Sequence, residues 1–167
     1  MHLPVSVYIV LGVMVVFGFF ANRAKGRPTK GPVYYARKSL FTPAERSFFG
    51  ALESLALPGV TITAKVRLED VFGVVNGLDR SSRQSAKNKI SSKHVDFLLL
   101  RKGDGKPLLG IELDDSSHQE EGRKARDVFV DTVFAAAALP ILRVPAQSGY
   151  NPSEIRLAIE SAVAGRA

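Results

Sequence analysis

Two apolar runs separated by a short turn-forming linker constrain this chain most. HVDFLLL (residues 94–100) and the apolar part of PLLGIELDDSSH (107–118) flank RKGDGKP, whose glycines and turn formers make the pair a β-hairpin. Phe97, Leu99, Ile111 and Leu113 alternate with Leu98, Leu100 and Leu108, so both faces of both strands are apolar. Such strands are covered on both sides, which places the hairpin in the middle of a sheet with layers above and below it.

Three carboxylates interrupt these runs. Glu112 and Asp114 are two apart and share a strand face, while Leu113 points the other way. A turn centred on Asp104 puts Asp96 directly across from Glu112, with Cβ atoms ~5 Å apart. Three acids in one patch repel each other unless protons or a cation neutralise them. The expectation is a site for Mg²⁺ or Mn²⁺ built from the oxygens of Asp96, Glu112 and Asp114.

The first 40 residues have a different character. Residues 3–20 (LPVSVYIVLGVMVVFGFF) are almost all apolar, and no charged side chain precedes Arg23. A run of about 18 such residues predicts an uncleaved transmembrane anchor over residues 1–21. Arg23, Lys25, Arg27, Lys30, Arg37 and Lys38 follow it, in a Pro- and Gly-containing linker over 22–40. Basic residues on this side alone predict a single-pass membrane protein whose C-terminal domain, residues 41–167, is cytoplasmic. The linker holds six of the 23 Lys and Arg residues and none of the 16 acids, so 17 bases face 16 acids in the remainder. The net charge of +7 is therefore mostly juxtamembrane. Within the domain, Arg80, Arg83, Lys87, Lys89 and Lys93 are concentrated in one acid-poor stretch, a candidate nucleic-acid contact. The chain has no Cys, so no disulfide framework is needed, and no helix-turn-helix or zinc module that reads bases is recognisable.

The remaining elements follow from caps and periodicity. Thr42 as N-cap, Pro43 at the first helical position and Glu45 completing a capping box start a helix, with Phe48, Phe49, Leu52, Leu55 and Ala56 as its buried stripe. VTITAKVRL (60–68) alternates as a strand, 69–79 is a loop or turn, and 80–92 is a short exposed helix. After the hairpin comes a helix from about Glu120 to Ala138, striped by Ala125, Val128, Phe129, Thr132, Val133 and Ala136. A strand over 139–145 and a helix capped by Asn151 and Pro152 complete the chain. The fold expected is a mixed α/β sheet of about four strands flanked by helices, with the strand–helix–strand passage joining parallel strands.

This order, with an acid on the second strand and Glu-x-Asp on the third, resembles the restriction-endonuclease-like core of the PD-(D/E)xK nucleases. TPAER (42–46), HVDFLLL, IELDDSSH (111–118) and RKARDVF (123–129) more closely resemble the bacterial domain of unknown function 2726, which is similar to very-short-patch repair endonucleases. The resemblance implies a metal-dependent phosphodiesterase acting on DNA. Asp96 then matches the superfamily's first metal-binding acid and Glu112 the acid of its third strand. Asp114 stands where most members carry a catalytic Lys, so another cation must replace it. Arg123 is the expected substitute, with Lys124 and Arg126 as alternatives. His118 is a candidate base, with a plain loop histidine as the rival reading. Glu45 is either a capping residue only or also a site glutamate. The alternative function is an inactive nuclease-fold module that binds nucleic acid or a protein partner at the membrane.

Overall fold

The computed structural model describes residues 33–114 and 121–165, the side chains of 121–126 excepted. The expected anchor over residues 3–20 lies outside them, and no helix among the described residues is long and apolar enough to cross a membrane. From Ser39 onward the chain forms one compact unit.

Helix α1 (Pro43–Ser54) begins at the expected capping box. Thr42 Oγ1 accepts the Glu45 N–H at 3.3 Å and a Glu45 carboxylate oxygen accepts the Thr42 N–H at 3.0 Å. Strand β1 (Val60–Arg67), a single helical turn α2 (Leu68–Val71) and helix α3 (Arg80–Ser91) follow. Then come β2 (His94–Arg101), β3 (Pro107–Asp114), α4 (Glu121–Ala136), β4 (Ile141–Pro145) and α5 (Pro152–Ala164). The sheet order is β1-β2-β3-β4, antiparallel except for the parallel pair β3/β4. The hairpin thus occupies the two central strands.

The hairpin register has an instructive detail. Leu100 pairs with Pro107, so the turn centres half a residue before Asp104, but a bulge between Leu99 and Leu100 restores the expected pairing at Leu99–Leu109, Leu98–Gly110 and Phe97–Ile111. Gly103 and Gly105 adopt positive φ in that turn, where a side chain is disfavoured.

Two cores sandwich the sheet. On one face Phe48 and Leu52 of α1 and Ile155 and Ile159 of α5 pack on Phe97, Leu109 and Ile111. On the other, Leu68, Phe72, Ile90, Val130 and Phe134 pack on Leu98 and Val95. Each fully buried large side chain stabilises the fold by roughly 1.5–3 kcal/mol.

Two local expectations are corrected. Ala56 is exposed and Ala51 takes its place in the α1 stripe. The stripe of α4 is rotated: Val130 and Phe134 are its buried residues, whereas Val128 is 65 % exposed and Thr132 is exposed. VFVDTVF carries apolar residues around most of the helix, so periodicity alone could not select the face; Gly110 selects it. A Cβ there would lie 2.4 Å from Phe134 Cε1, so the missing side chain lets α4 seat its phenylalanine on the sheet. Gly110→Ala should therefore cost about 1–3 kcal/mol as an overpacking change, read as a lower unfolding midpoint, and Phe134→Leu in the same chain should recover part of it.

Candidate functional site

The sheet carries its charge on one rung. In β1 and β2, Ala64 pairs with Phe97 and Val66 with Val95, so Lys65 lies across from Asp96. In β2 and β3 the paired register ends at Phe97–Ile111, and Asp96 and Glu112 are the next residues on their strands. In β3 and β4, Glu112 pairs with Arg143. One row across four strands therefore reads Lys65, Asp96, Glu112, Arg143, with two acids in the centre and a cation at each side. The acids are buried, Asp96 at 8 % and Glu112 at 7 % exposure. Water screens such charges poorly, so their neighbours must stabilise them.

Lys65 is the cation that meets Asp96. Its Nζ donates to Asp96 Oδ1 at 2.8 Å and to Glu45 Oε1 at 2.7 Å. The second Asp96 oxygen accepts the Leu113 backbone N–H at 3.1 Å, tying β2 to β3 beyond the Phe97–Ile111 pair. Lys65 has a φ of 54°, a left-handed backbone that costs a non-glycine residue roughly 1–2 kcal/mol. The strand turns over at this point. Ala64 faces the α1 core, while Val66, which simple alternation would put beside it, packs in the opposite core with Val95. That rotation accompanies the approach of Lys65 to α1, where Glu45 waits. Glu45 closes the capping box with one oxygen and holds Lys65 with the other.

Burial pulls the Lys65 ammonium down, but the hydrogen bonds and charges of Asp96 and Glu45 outweigh it and hold the pKa above the ordinary lysine value. A pKa raised by folding stabilises the protein below the unfolded value and loses that contribution as pH rises through the folded one. Alkaline unfolding of Lys65→Met should accordingly show less loss of stability above pH 10.5 than the unsubstituted protein, measured by thermal melts across that range.

Asp114 belongs to a different cluster. Arg143 Nη1 donates to Asp114 Oδ1 at 2.7 Å, and its Nε and Nη2 donate to Asp131 Oδ1 at 3.1 and 2.9 Å. Nη2 also reaches the Asp127 carbonyl at 3.3 Å. Burial opposes the Arg143 charge, but the bond to Asp131 and the charges of Asp114 and Asp131 raise its pKa. Asp114 is thus turned toward β4 and α4, whereas Asp96 is turned toward β1 and α1. No group of three His, Cys, Asp or Glu side chains able to hold a metal occurs among the described residues.

His118 lies outside the described residues, and the side chains of Arg123, Lys124 and Arg126 do too. Of the basic set, Arg80, Lys87 and Lys89 are exposed on α3. Arg83 donates to the Val75 carbonyl and Asn76 Oδ1 at 3.1 and 3.4 Å, holding the preceding loop. Lys93 lies 4.9 Å from the Phe129 ring centroid and donates to the Lys89 carbonyl. Lys65 and Arg143 were not among the expected site residues. Each carried a signal: a cation flanked on both sides by apolar residues inside a strand, Ala64-Lys65-Val66 and Leu142-Arg143-Val144. Reading β1 against β2 would have placed Lys65 opposite Asp96.

A family model described as "Protein of unknown function (DUF2726)" matches residues 37–163. No curated protein and no solved structure matches the chain.

Proposed function

The chain belongs to the DUF2726 family, and from that premise we propose that it is a metal-dependent phosphodiesterase of the PD-(D/E)xK kind acting on DNA. The observation that carries this reading is the burial of two acids, Asp96 and Glu112, each next to the last paired residue of adjacent central strands, with a lysine from a third strand bonded to Asp96. Mg²⁺ is commonly held by one or two carboxylates with water completing its shell, and Asp96 with Glu112 fits that donor set without Asp114. When bound there, the ion supplies an acidified water and positive charge for the scissile phosphate.

The chain's own groups divide the remaining work. Lys65 keeps its proton at neutral pH, so it serves as a fixed charge rather than a base. Two of its three N–H groups are held by Glu45 and Asp96, which leaves one for a phosphate oxygen. It supplies from β1 the cation missing from the third strand, where Asp114 stands. Glu45 positions Lys65 and does not touch substrate. Arg123 remains a second candidate for this role, and His118 a candidate base. Residues 3–20 anchor the unit to the bacterial inner membrane with residues 41–167 in the cytoplasm, a reading supported by the apolar run and the basic flank that follows it.

One observation favours the alternative, an inactive module that binds nucleic acid or a protein partner. Both Asp96 oxygens already have hydrogen-bond partners within the chain. Incubating the full chain with end-labelled DNA and Mg²⁺ separates the two. The enzyme gives shortened products that a chelator abolishes; the module shifts the DNA or a partner without cutting.

A further inference from the structure

Helix α3 is largely exposed. Eight of its twelve residues are exposed, and it docks through a narrow stripe of Arg83, Ala86 and Ile90, of which Ile90 alone is buried. The outward face bears no carboxylate; Asp79, which caps the helix by accepting the Ser82 N–H, is the acid at its start. This face is open and nearly flat, and carries Arg80, Ser81, Gln84, Ser85, Asn88 and Lys89. A merely solvated helix face of this size usually mixes both signs of charge. This one combines cations with uncharged donors and acceptors, the composition that suits a polyanion whose interior edges carry hydrogen-bonding groups.

Two amides on this face are pre-organised. Gln84 Nε2 donates to Asn88 Oδ1 at 2.8 Å, one helical turn apart. Each amide restrains the other's rotamer, and between them they still present both donors and acceptors on the exposed face. Asn and Gln side chains are the ones that match the acceptor–donor pair of adenine in the major groove. At 1.5 Å per residue the helix is about 18 Å long, and an α-helix fits the major groove of B-form DNA. Arg80, Lys87 and Lys89 lie among or beside these amides, placed for the phosphates that border the groove. The helix also leads straight into the site. Ser92 and Lys93 alone separate it from β2, and Lys93 precedes Asp96 by three residues, a span of at most about 11 Å along the chain.

We infer that α3 is a base-reading helix that enters the major groove of duplex DNA, with Gln84 and Asn88 contacting base edges and Arg80, Lys87 and Lys89 contacting phosphates. This rests on the reading of DNA as substrate but not on cleavage.

The test is binding of the full chain carrying Asp96→Asn, in EDTA, to a randomised duplex pool, with selection, sequencing and a salt titration. The expected result is enrichment of a short sequence pattern. Gln84→Ala with Asn88→Ala should erase that pattern while changing affinity for the unselected pool by no more than about twofold, since base contacts specify and phosphate contacts position. Lys87→Ala with Lys89→Ala should weaken binding to all sequences alike and reduce the salt slope by about 2. Circular dichroism checks that these exposed substitutions leave the fold intact. No duplex binding, binding without any preference, a pattern that survives loss of both amides, or equal affinity for single strands would each overturn the inference. Because cleavage is never read, an inactive site neither supports nor damages it.

Discussion

Glu112→Gln is expected to lower the rate of metal-dependent DNA cleavage about 10³-fold or more, the order at which loss of a group supporting transition-state charge registers. The substitution is isosteric and lies in a site 7 % exposed, so the packing around it persists. Two like charges on adjacent strands repel when no ion lies between them. Neutralising one should leave the ion-free protein at least as stable as before. Activity lost together with unchanged or raised stability is the signature of a functional carboxylate. A structural one would show the reverse, a lower unfolding midpoint with cleavage retained in proportion to the folded fraction. Single-turnover cleavage and thermal melts on the same preparation distinguish them.

The second large effect concerns Lys65. Lys65→Ala is expected to lower cleavage about 10²- to 10³-fold, because the charge it holds beside Asp96 is lost where phosphate charge develops. Affinity for DNA should change little, since one half-buried ammonium would be a small part of the proposed interface, whose cations are exposed. Lys65→Gly makes the backbone argument separable. It removes the same charge but suits the left-handed φ of 54°, so it should be more stable than Lys65→Ala by about 1 kcal/mol and equally inactive. If Ala and Gly variants melt together, the strain at Lys65 is not what the backbone angle implies. If both cleave as well as the unsubstituted chain, Lys65 is a structural tether for Glu45 and nothing more.

The elements legible in the sequence are those with a local physical cause. Thr42, Pro43 and Glu45 specify a helix start through three groups within one turn. The hairpin is readable because apolar residues on both faces of two adjacent runs leave it no place but the sheet centre. Even its register was accessible, although the turn is offset and a bulge corrects it. What stayed hidden depends on contacts far apart in sequence. The face of α4 is chosen by the absence of a side chain at Gly110, and nothing within VFVDTVF reports that. Lys65 stands 31 residues from Asp96 and reaches it through a backbone angle that alternation does not foresee. Asp114 shares a strand face with Glu112, as spacing dictates, yet Arg143 draws it to β4, and that depends on a parallel neighbour arriving after a whole helix. The rung as a unit emerges only when the three strand pairings are read together.

Each cation on that row meets carboxylates: Lys65 holds Asp96 and Glu45, and Arg143 holds Asp114 and Asp131. An ion entering between Asp96 and Glu112 must compete with Lys65 for one Asp96 oxygen. Calorimetric titration of Mn²⁺ into the full chain, run beside Glu112→Gln and Asp114→Asn, asks whether it does. The account predicts one ion per chain for the unsubstituted protein and for Asp114→Asn, and none for Glu112→Gln. A chain that takes up no ion, or binding that survives in Glu112→Gln and vanishes in Asp114→Asn, would contradict it.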